Sequence, residues 1–197
     1  MTRIAIITGS VRPNRNNLAV AEWIHSIAKH RDDAQFEIVD IADYDLPHLD
    51  EPAPPSFGQY RHEQTRSWAD RIASFDGFIF VTPEYNHSTS AALKNAIDFL
   101  HNEWNNKAAG FVGYGSMGGS RAIEHLRGIM AELQVATVRN AVMLSLFTDF
   151  ENFSVLKPAA FQQDTVLPML DQVIAWSNAL APLRAAATAA NTSGKAA

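Results

Sequence analysis

Short apolar segments of strand length alternate with segments of helical period along most of this chain. Four strands are predicted at residues 3–8, 36–41, 77–82 and 109–114, and a fifth lies within 137–144. These segments are rich in Ile, Val and Phe, which is typical of strands buried on both faces of a parallel sheet. Five strands that alternate with helices predict an α/β fold with a doubly wound parallel sheet.

Apolar residues between these strands recur at the spacing of one helix face. The third predicted helix carries Leu93, Ile97, Leu100 and Trp104 on such a face, followed closely by the fourth strand. We expect one domain over residues 1–184, because no break in the pattern or internal repeat interrupts it. The Ala-rich tail at 185–197 lacks apolar periodicity and is predicted to be disordered.

Composition excludes several classes of function. Hydrophobic residues at 47% and charged residues at 19% are typical of a globular protein, and the net charge of −5 argues against a nucleic-acid partner. The chain has no cysteine, which excludes disulfides, thiolate metal sites and a cysteine nucleophile. No apolar stretch has the length of a membrane span, and the first apolar run is too short for a secretory signal. We therefore expect a cytoplasmic protein without a membrane partner.

Doubly wound sheets bind ligands beyond the carboxyl ends of their strands, so the loops that follow the strands are the candidate sites. The first loop, residues 8–17, has neither G-x-G-x-x-G nor a P-loop motif, and it contains no lysine. A loop that leads into a helix N-terminus favours an anion, and Ser10 and Arg12 suit phosphate oxygens. A terminal monophosphate is the ligand that remains. The alternative is that Asn16 or Asn17 only caps the helix while Arg12 is solvated.

Two further loops follow central strands. In residues 82–88, Tyr85 and Asn86 offer an aromatic edge and an amide to a flat heterocycle; the alternative is a Pro-initiated turn with Ser88 as the helix N-cap. In residues 114–121, glycines permit close approach of the backbone to a ligand, and the alternative is a glycine-rich turn. A serine hydrolase is excluded, because Tyr114 stands where G-x-S-x-G requires its first glycine.

These loops together resemble the NAD(P)H-dependent FMN reductases of the flavodoxin-like superfamily, which include chromate and quinone reductases and some azoreductases. The motifs that carry the resemblance are GSVRPNRNN from Gly9, PEYNHS from Pro83 with LKNAID from Leu93, and GYGSMGGSRA from Gly113. The resemblance implies a flavodoxin-like three-layer sandwich with a five-stranded parallel sheet. Members often have glycine where Asn14 stands, and asparagine is among the residues that best tolerate a positive φ there.

The resemblance also implies three groups of cofactor-binding residues. One group holds the FMN phosphate, the second lines the isoalloxazine edge, and the third closes over the flavin or its substrate. They are Ser10, Arg12, Asn16, Asn17 and Leu18; then Pro83, Glu84, Tyr85 and Asn86; then Gly115, Ser116, Met117 and Gly118.

The expected function is hydride transfer from NADPH or NADH through FMN to a small acceptor by a ping-pong mechanism. Free flavins, quinones, chromate and azo compounds are the expected acceptors. The flavin carries the chemistry, so we expect no catalytic acid or base from the protein and no metal. The family resemblance also implies a homodimer or homotetramer with a contact on the third helix. The alternatives are a non-enzymatic flavodoxin-type electron carrier and a binding module for another phosphate-bearing ligand.

Overall fold

The computed structural model describes residues 1–194 and shows one five-stranded parallel sheet. The second strand along the chain lies at one edge, followed across the sheet by the first, third, fourth and fifth strands, as expected for a flavodoxin-like α/β fold. All five predicted strands are present, with bounds that differ from the predicted ones by a few residues. They are β1 (Thr2–Thr8), β2 (Ala34–Val39), β3 (Gly77–Pro83), β4 (Lys107–Gly115) and β5 (Val135–Ser145).

Helices cover both faces of this sheet and complete three layers. The second, third and fourth helices share one apolar core with the sheet, and the first and fifth share the other. A short antiparallel hairpin of two strands follows β5. The helices are α1 (Asn17–Ala28), α2 (Glu63–Ala73), α3 (Ala91–Asp98), α4 (Ser120–Glu132), α5 (Gln162–Ala179) and α6 (Ala181–Gly194), and the hairpin strands are β6 (Phe150–Glu151) and β7 (Val155–Leu156).

Alternate residues of the central strands enter opposite cores. On β1, Ile4 and Ile6 pack toward α1 and α5, whereas Ala5 and Ile7 pack toward α2, α3 and α4. All four side chains have no exposed area. Successive side chains of a strand point to opposite faces of the sheet. Because both faces are covered by helices, these four consecutive residues are all apolar.

The third helix is shorter than predicted. It ends at Asp98, and Leu100 and Trp104 lie in the turns that lead to β4. The four residues of its expected subunit face are at most 1% exposed, because they pack into the protein's own core. This face is therefore unavailable to a second subunit.

The carboxyl-terminal segment also differs from its prediction. We expected disorder over 185–197, but α6 continues to Gly194, and residues 195–197 lie outside the described residues. Alanine has the highest intrinsic helix propensity, which explains a helix without apolar periodicity. None of the helices among residues 1–194 is long and apolar enough to cross a membrane.

Candidate functional site

The loops that follow β1, β3 and β4 meet at the carboxyl edge of the sheet. The Ser10 and Tyr85 hydroxyl oxygens lie 3.3 Å apart, and the Arg12 guanidinium lies 5.8 Å from the centre of the Tyr85 ring. The backbone N–H of Glu84 donates to the carbonyl of Tyr114 at 3.0 Å. The structure thus brings the three predicted groups of residues to one place.

Asn17 fixes the first loop to the neighbouring strand. Its side-chain oxygen accepts from the N–H of Gly9 at 2.7 Å, and its amide nitrogen donates to the carbonyl of Val81 at 2.9 Å. Asn17 has no exposed area. A Cβ on Gly9 would lie 2.5 Å from the Val81 carbonyl oxygen, so only glycine permits this close approach. The side chain of Asn17 therefore holds the loop in place, and both of its polar atoms are bonded within the protein.

The N-terminus of α1 is open to an anion. No side chain caps it, and within residues 1–194 the N–H groups of Asn17, Leu18 and Ala19 donate no hydrogen bond. The side-chain amide of Asn16 donates instead to the carbonyl of Phe153 at 3.0 Å, so neither asparagine caps the helix. The positive end of a helix with free N–H groups attracts phosphate.

Ser10 and Arg12 lie beside these free N–H groups and differ in exposure. The Ser10 side chain is nearly buried, and its Oγ accepts from the N–H of Arg12 at 3.3 Å. Arg12 is exposed and forms no ion pair with any described residue, whereas Arg15 pairs with Asp40. Asn14 has φ 56°, which confirms that asparagine stands at a left-handed position in this loop. Arg12 is the cation of this loop that has no carboxylate partner.

The loop after β3 is a tight turn. Tyr85 and Ser88 exchange two backbone hydrogen bonds of 2.9 and 3.1 Å, and Asn86 and His87 between them have φ 48° and 73°. The helix then begins later than expected. Ser90 is its N-cap, because its Oγ accepts from the N–H of Leu93 at 3.0 Å. The alternative interpretation of this loop, in which Ser88 caps the helix, was wrong, because a left-handed turn separates Ser88 from the helix.

Glu84 directs its carboxylate away from the open edge. Its side chain is only 4% exposed, and its Oε1 accepts from Nε of Arg121 at 2.6 Å while Oε2 accepts from the Arg121 N–H at 3.2 Å. A guanidinium cannot accept a hydrogen bond, so Nδ1 of His87, 3.2 Å from Nη1 of Arg121, is the acceptor. Only the backbone carbonyl of Glu84 is therefore left for a ligand, because its N–H is bonded to Tyr114. Sequence reasoning missed Arg121, although it lies within the third motif.

The loop after β4 folds back tightly on its own strand. Gly118 and Gly119 have φ 64° and 74°, and a Cβ on Gly119 would lie 2.6 Å from Cα of Gly113. Ser116 and Met117 are exposed at the tip, and within the described chain their N–H groups donate no hydrogen bond. Gly115 and Gly118 are buried, so the predicted group offers a ligand mainly its two middle residues.

The hydroxyl of Tyr114 lies under these loops. Tyr114 is 7% exposed, and burial raises the pKa of its hydroxyl. The hydroxyl therefore stays protonated at neutral pH, so Tyr114 adds no charge to the base of the site.

The segment after β5 contributes to this edge and was not predicted from the sequence. The N–H of Leu146 donates to the carbonyl of Gly115 at 3.0 Å, and Phe153 accepts from Asn16 as described. Phe147 and Phe153 are exposed and lie with ring centres 5.7 Å apart, nearly perpendicular. The sequence signal for this segment is a set of phenylalanines that recur among polar residues directly after the fifth strand.

The fold and its loops define a flavodoxin-like α/β protein whose candidate site at the carboxyl edge of the sheet has free backbone N–H groups. A flavoenzyme NAD(P)H:(acceptor) oxidoreductase of Paracoccus denitrificans shares this fold with a TM-score of 0.69 and 23% identity, over 90% of this chain and 98% of that one. The family model of NADPH-dependent FMN reductase matches residues 2–149.

Two similar relatives agree with the family match. NAD(P)H-dependent FMN reductases of Nectria sp. and Schizosaccharomyces pombe are 39% and 37% identical, over 76% and 80% of this chain and 79% and 80% of their own lengths. The chain belongs to the NADPH-dependent FMN reductase family. This membership confirms the expected enzyme class, an oxidoreductase, and the expected use of FMN with a reduced nicotinamide cofactor.

Proposed function

We propose that this chain binds FMN at the carboxyl edge of its sheet and transfers reducing equivalents from NADPH or NADH to small planar acceptors. The observation that carries the proposal is the uncapped N-terminus of α1 beside Ser10 and the unpaired Arg12. Three free N–H groups, a hydroxyl and a guanidinium there match the oxygens of a phosphate monoester.

The phosphate end rests on backbone donors more than on side chains. We assign the N–H groups of Asn17 and Leu18, the Ser10 hydroxyl and the Arg12 guanidinium to this end. The Asn16 and Asn17 side chains serve only indirectly, because their amides are bonded to other parts of the protein. This assignment keeps the predicted residues and changes the role of two of them.

The ring end is assigned to the loops after β3 and β4. Pro83, Glu84 and Asn86 offer backbone groups, Tyr85 offers its ring, and the Gly115–Gly118 turn offers the free N–H groups of Ser116 and Met117. FMN, when bound, supplies the hydride-accepting and electron-donating chemistry. The protein's task is to orient the ring and to place N–H donors where negative charge accumulates.

One open face is proposed to serve donor and acceptor in turn, in a ping-pong sequence. In the overall reaction NADPH, a proton and a quinone give NADP⁺ and a hydroquinone. A relative from Burkholderia sp., 32% identical over 72% of this chain, is a 2-hydroxy-1,4-benzoquinone reductase, which supports quinones as acceptors. Free flavins, chromate and azo compounds are the other proposed acceptors.

Two expectations about the protein in the cell remain proposals. The first is a cytoplasmic location, and the second is a homodimer or homotetramer. The subunit contact cannot use the face of α3, which is buried in the protein's own core. Light scattering at micromolar concentration tests the second, and a particle of 21.7 kDa would refute it.

The test is a titration of the purified protein with FMN, followed by steady-state kinetics with NADPH and 1,4-naphthoquinone. We expect saturable quenching of flavin fluorescence and parallel lines in double-reciprocal plots when the quinone is varied. Intersecting lines would replace ping-pong by a ternary complex. Flavin binding without oxidation of NADPH would favour an electron carrier, and no flavin binding would refute the proposal.

A further inference from the structure

Phe147 and Phe153 form an aromatic pair on the surface between the two loops that flank the candidate site. Phe147 follows Leu146, which is bonded to Gly115, and the carbonyl of Phe153 accepts from Asn16. The two side chains are 69% and 59% exposed. Two large exposed rings side by side form a contiguous apolar patch, which is typical of a binding surface.

The backbone of Phe153 is unusual for so large a residue. It has φ 57° and follows Asn152, with φ 50°, in the turn of the hairpin that joins β6 to β7. Glycine is the usual residue at the second position of such a turn, because a side chain there is strained. The chain thus retains a bulky ring at a position where glycine would be more stable.

The pair is also held on a fixed support. The carboxylate of Asp149 is 1% exposed and accepts from the N–H of Ser145 at 2.9 Å, the Thr148 hydroxyl at 2.9 Å and the N–H of Ala159 at 3.0 Å. These bonds tie both ends of the segment that carries Phe147. A support of this kind suits a surface that must keep its shape to stack a flat ligand.

The charges around the pair indicate which ligand it fits. Residues 145–156 contain Asp149 and Glu151 but no lysine or arginine, and the neighbouring Lys157 is paired with Glu151. The segment itself therefore offers no free cation to the phosphates of a nicotinamide cofactor, and the nearby Arg12 belongs to the first loop, where we place the FMN phosphate. An uncharged planar ring finds two aromatic edges and faces, which favour offset or edge-on stacking.

We propose that the aromatic pair is an acceptor subsite, which stacks the outer ring of a polycyclic uncharged acceptor such as a naphthoquinone. The inference rests on the proposed function and adds a specificity-determining surface to it. The pair selects for ring size, since a larger acceptor extends farther from the reacting end of the site.

The test compares Phe147→Ala/Phe153→Ala with the wild type, using 1,4-naphthoquinone and ferricyanide as acceptors. We expect KM for the naphthoquinone to rise about tenfold with kcat retained, in the range for one lost aromatic contact. KM for ferricyanide, which cannot stack, should not change. Phe147→Tyr/Phe153→Tyr keeps both rings and should restore KM for the naphthoquinone.

Two controls separate this subsite from general effects. Phe57→Ala removes a ring that is about as exposed but lies elsewhere on the surface. The adjacent residue, Ser56, accepts a hydrogen bond from Asn102, which precedes β4, so this variant should change neither KM. Phe153→Gly removes one ring while relieving the left-handed strain, so its unfolding midpoint should match or exceed that of the wild type while KM for the naphthoquinone rises.

Four outcomes would overturn the proposal. They are an unchanged KM for the naphthoquinone, an equal rise for ferricyanide, a slower anaerobic reduction of bound FMN by NADPH, and a change of oligomeric state in light scattering. The last two would assign the pair to the nicotinamide cofactor or to a second copy of the chain. Wild-type protein that binds no FMN or does not oxidise NADPH would instead refute the proposed function.

Discussion

The two ends of the central sheet both gather polar groups, but they differ in whether their cations and backbone N–H groups have partners within the protein. At the amino end, a cavity of about 580 Å³ is lined by Lys107, Arg184 and several amides. Nζ of Lys107 donates to the carbonyls of Ile72 and Ala73, and Arg184 pairs with Asp76. At the carboxyl edge, the first N–H groups of α1 and those of Ser116 and Met117 have no partner in the described chain.

This difference shows that the size of a cavity is a poor guide to function here. The Lys107 and Arg184 side chains at the amino end donate to backbone carbonyls and to Asp76, because buried polar groups must be satisfied. The carboxyl edge is built from open donors and left-handed residues, which is how backbone sites for phosphate and flat rings are made. The following variants test this division.

The largest expected effect is on the loop after β4. Gly119→Ala places a Cβ 2.6 Å from backbone atoms at φ 74°, and should lower the free energy of unfolding by about 3 kcal/mol. Gly128→Ala, in α4 with nothing within 4 Å of its Cβ, should raise it by about 0.5–1 kcal/mol. Urea denaturation measures both. Equal effects would show that the turn is not as tight as described.

The second variant removes the cation of the phosphate end. Arg12→Ala should weaken FMN binding by about 1.5–3 kcal/mol, the range for losing a hydrogen bond to a charged group. Arg139→Ala is the matched control, because Arg139 is exposed on β5 and its side chain forms no ion pair with a described residue. Fluorescence titration measures both dissociation constants. An unchanged constant for Arg12→Ala would remove Arg12 from the site.

The third variant concerns the amino end. Burial, followed by repulsion from Arg184, lowers the pKa of Lys107 to about 7. The unfolded chain, with a lysine pKa of about 10.4, then binds more protons above pH 7, so the free energy of unfolding rises with pH. Lys107→Met should remove this slope, at most about 1.4 kcal/mol per pH unit, over pH 7–9 in urea titrations.

The same variant should leave FMN affinity unchanged, because Lys107 lies at the opposite end of the sheet. Identical pH slopes in wild type and variant would show that Lys107 stays charged on folding. A weaker affinity for FMN would show that the two ends are not independent.

The smallest expected effect is at the contact between the first two loops. Tyr85→Phe removes the hydroxyl that lies 3.3 Å from Ser10 and should weaken FMN binding by about 0.5–1 kcal/mol. Tyr60→Phe removes a hydroxyl that donates to Glu103 at 2.7 Å near the amino end, and should leave FMN affinity as it is. Competition between FMN and riboflavin, measured for each variant, separates the ring end from the phosphate end.

Much of this arrangement follows from local sequence patterns. Continuous apolar segments predicted the strands of the sheet. The glycine, asparagine and arginine residues after β1 predicted an anion site, because backbone donors and an arginine within one loop can be recognised without knowing the rest of the fold. The roles that were missed depend on contacts between distant segments. The Asn17 side chain is hydrogen-bonded to Val81, and the Glu84 carboxylate is paired with Arg121. The third helix ends before Trp104, whose side chain is buried in the core. No local pattern encodes such partners.

The most direct test of the central claim is a crystal structure of the protein with FMN. The account predicts the phosphate at the N-terminus of α1, within hydrogen-bond distance of the N–H groups of Asn17 and Leu18, and the ring between the loops after β3 and β4. FMN in the cavity beside Lys107 and Arg184, or a phosphate that does not contact α1, would contradict it.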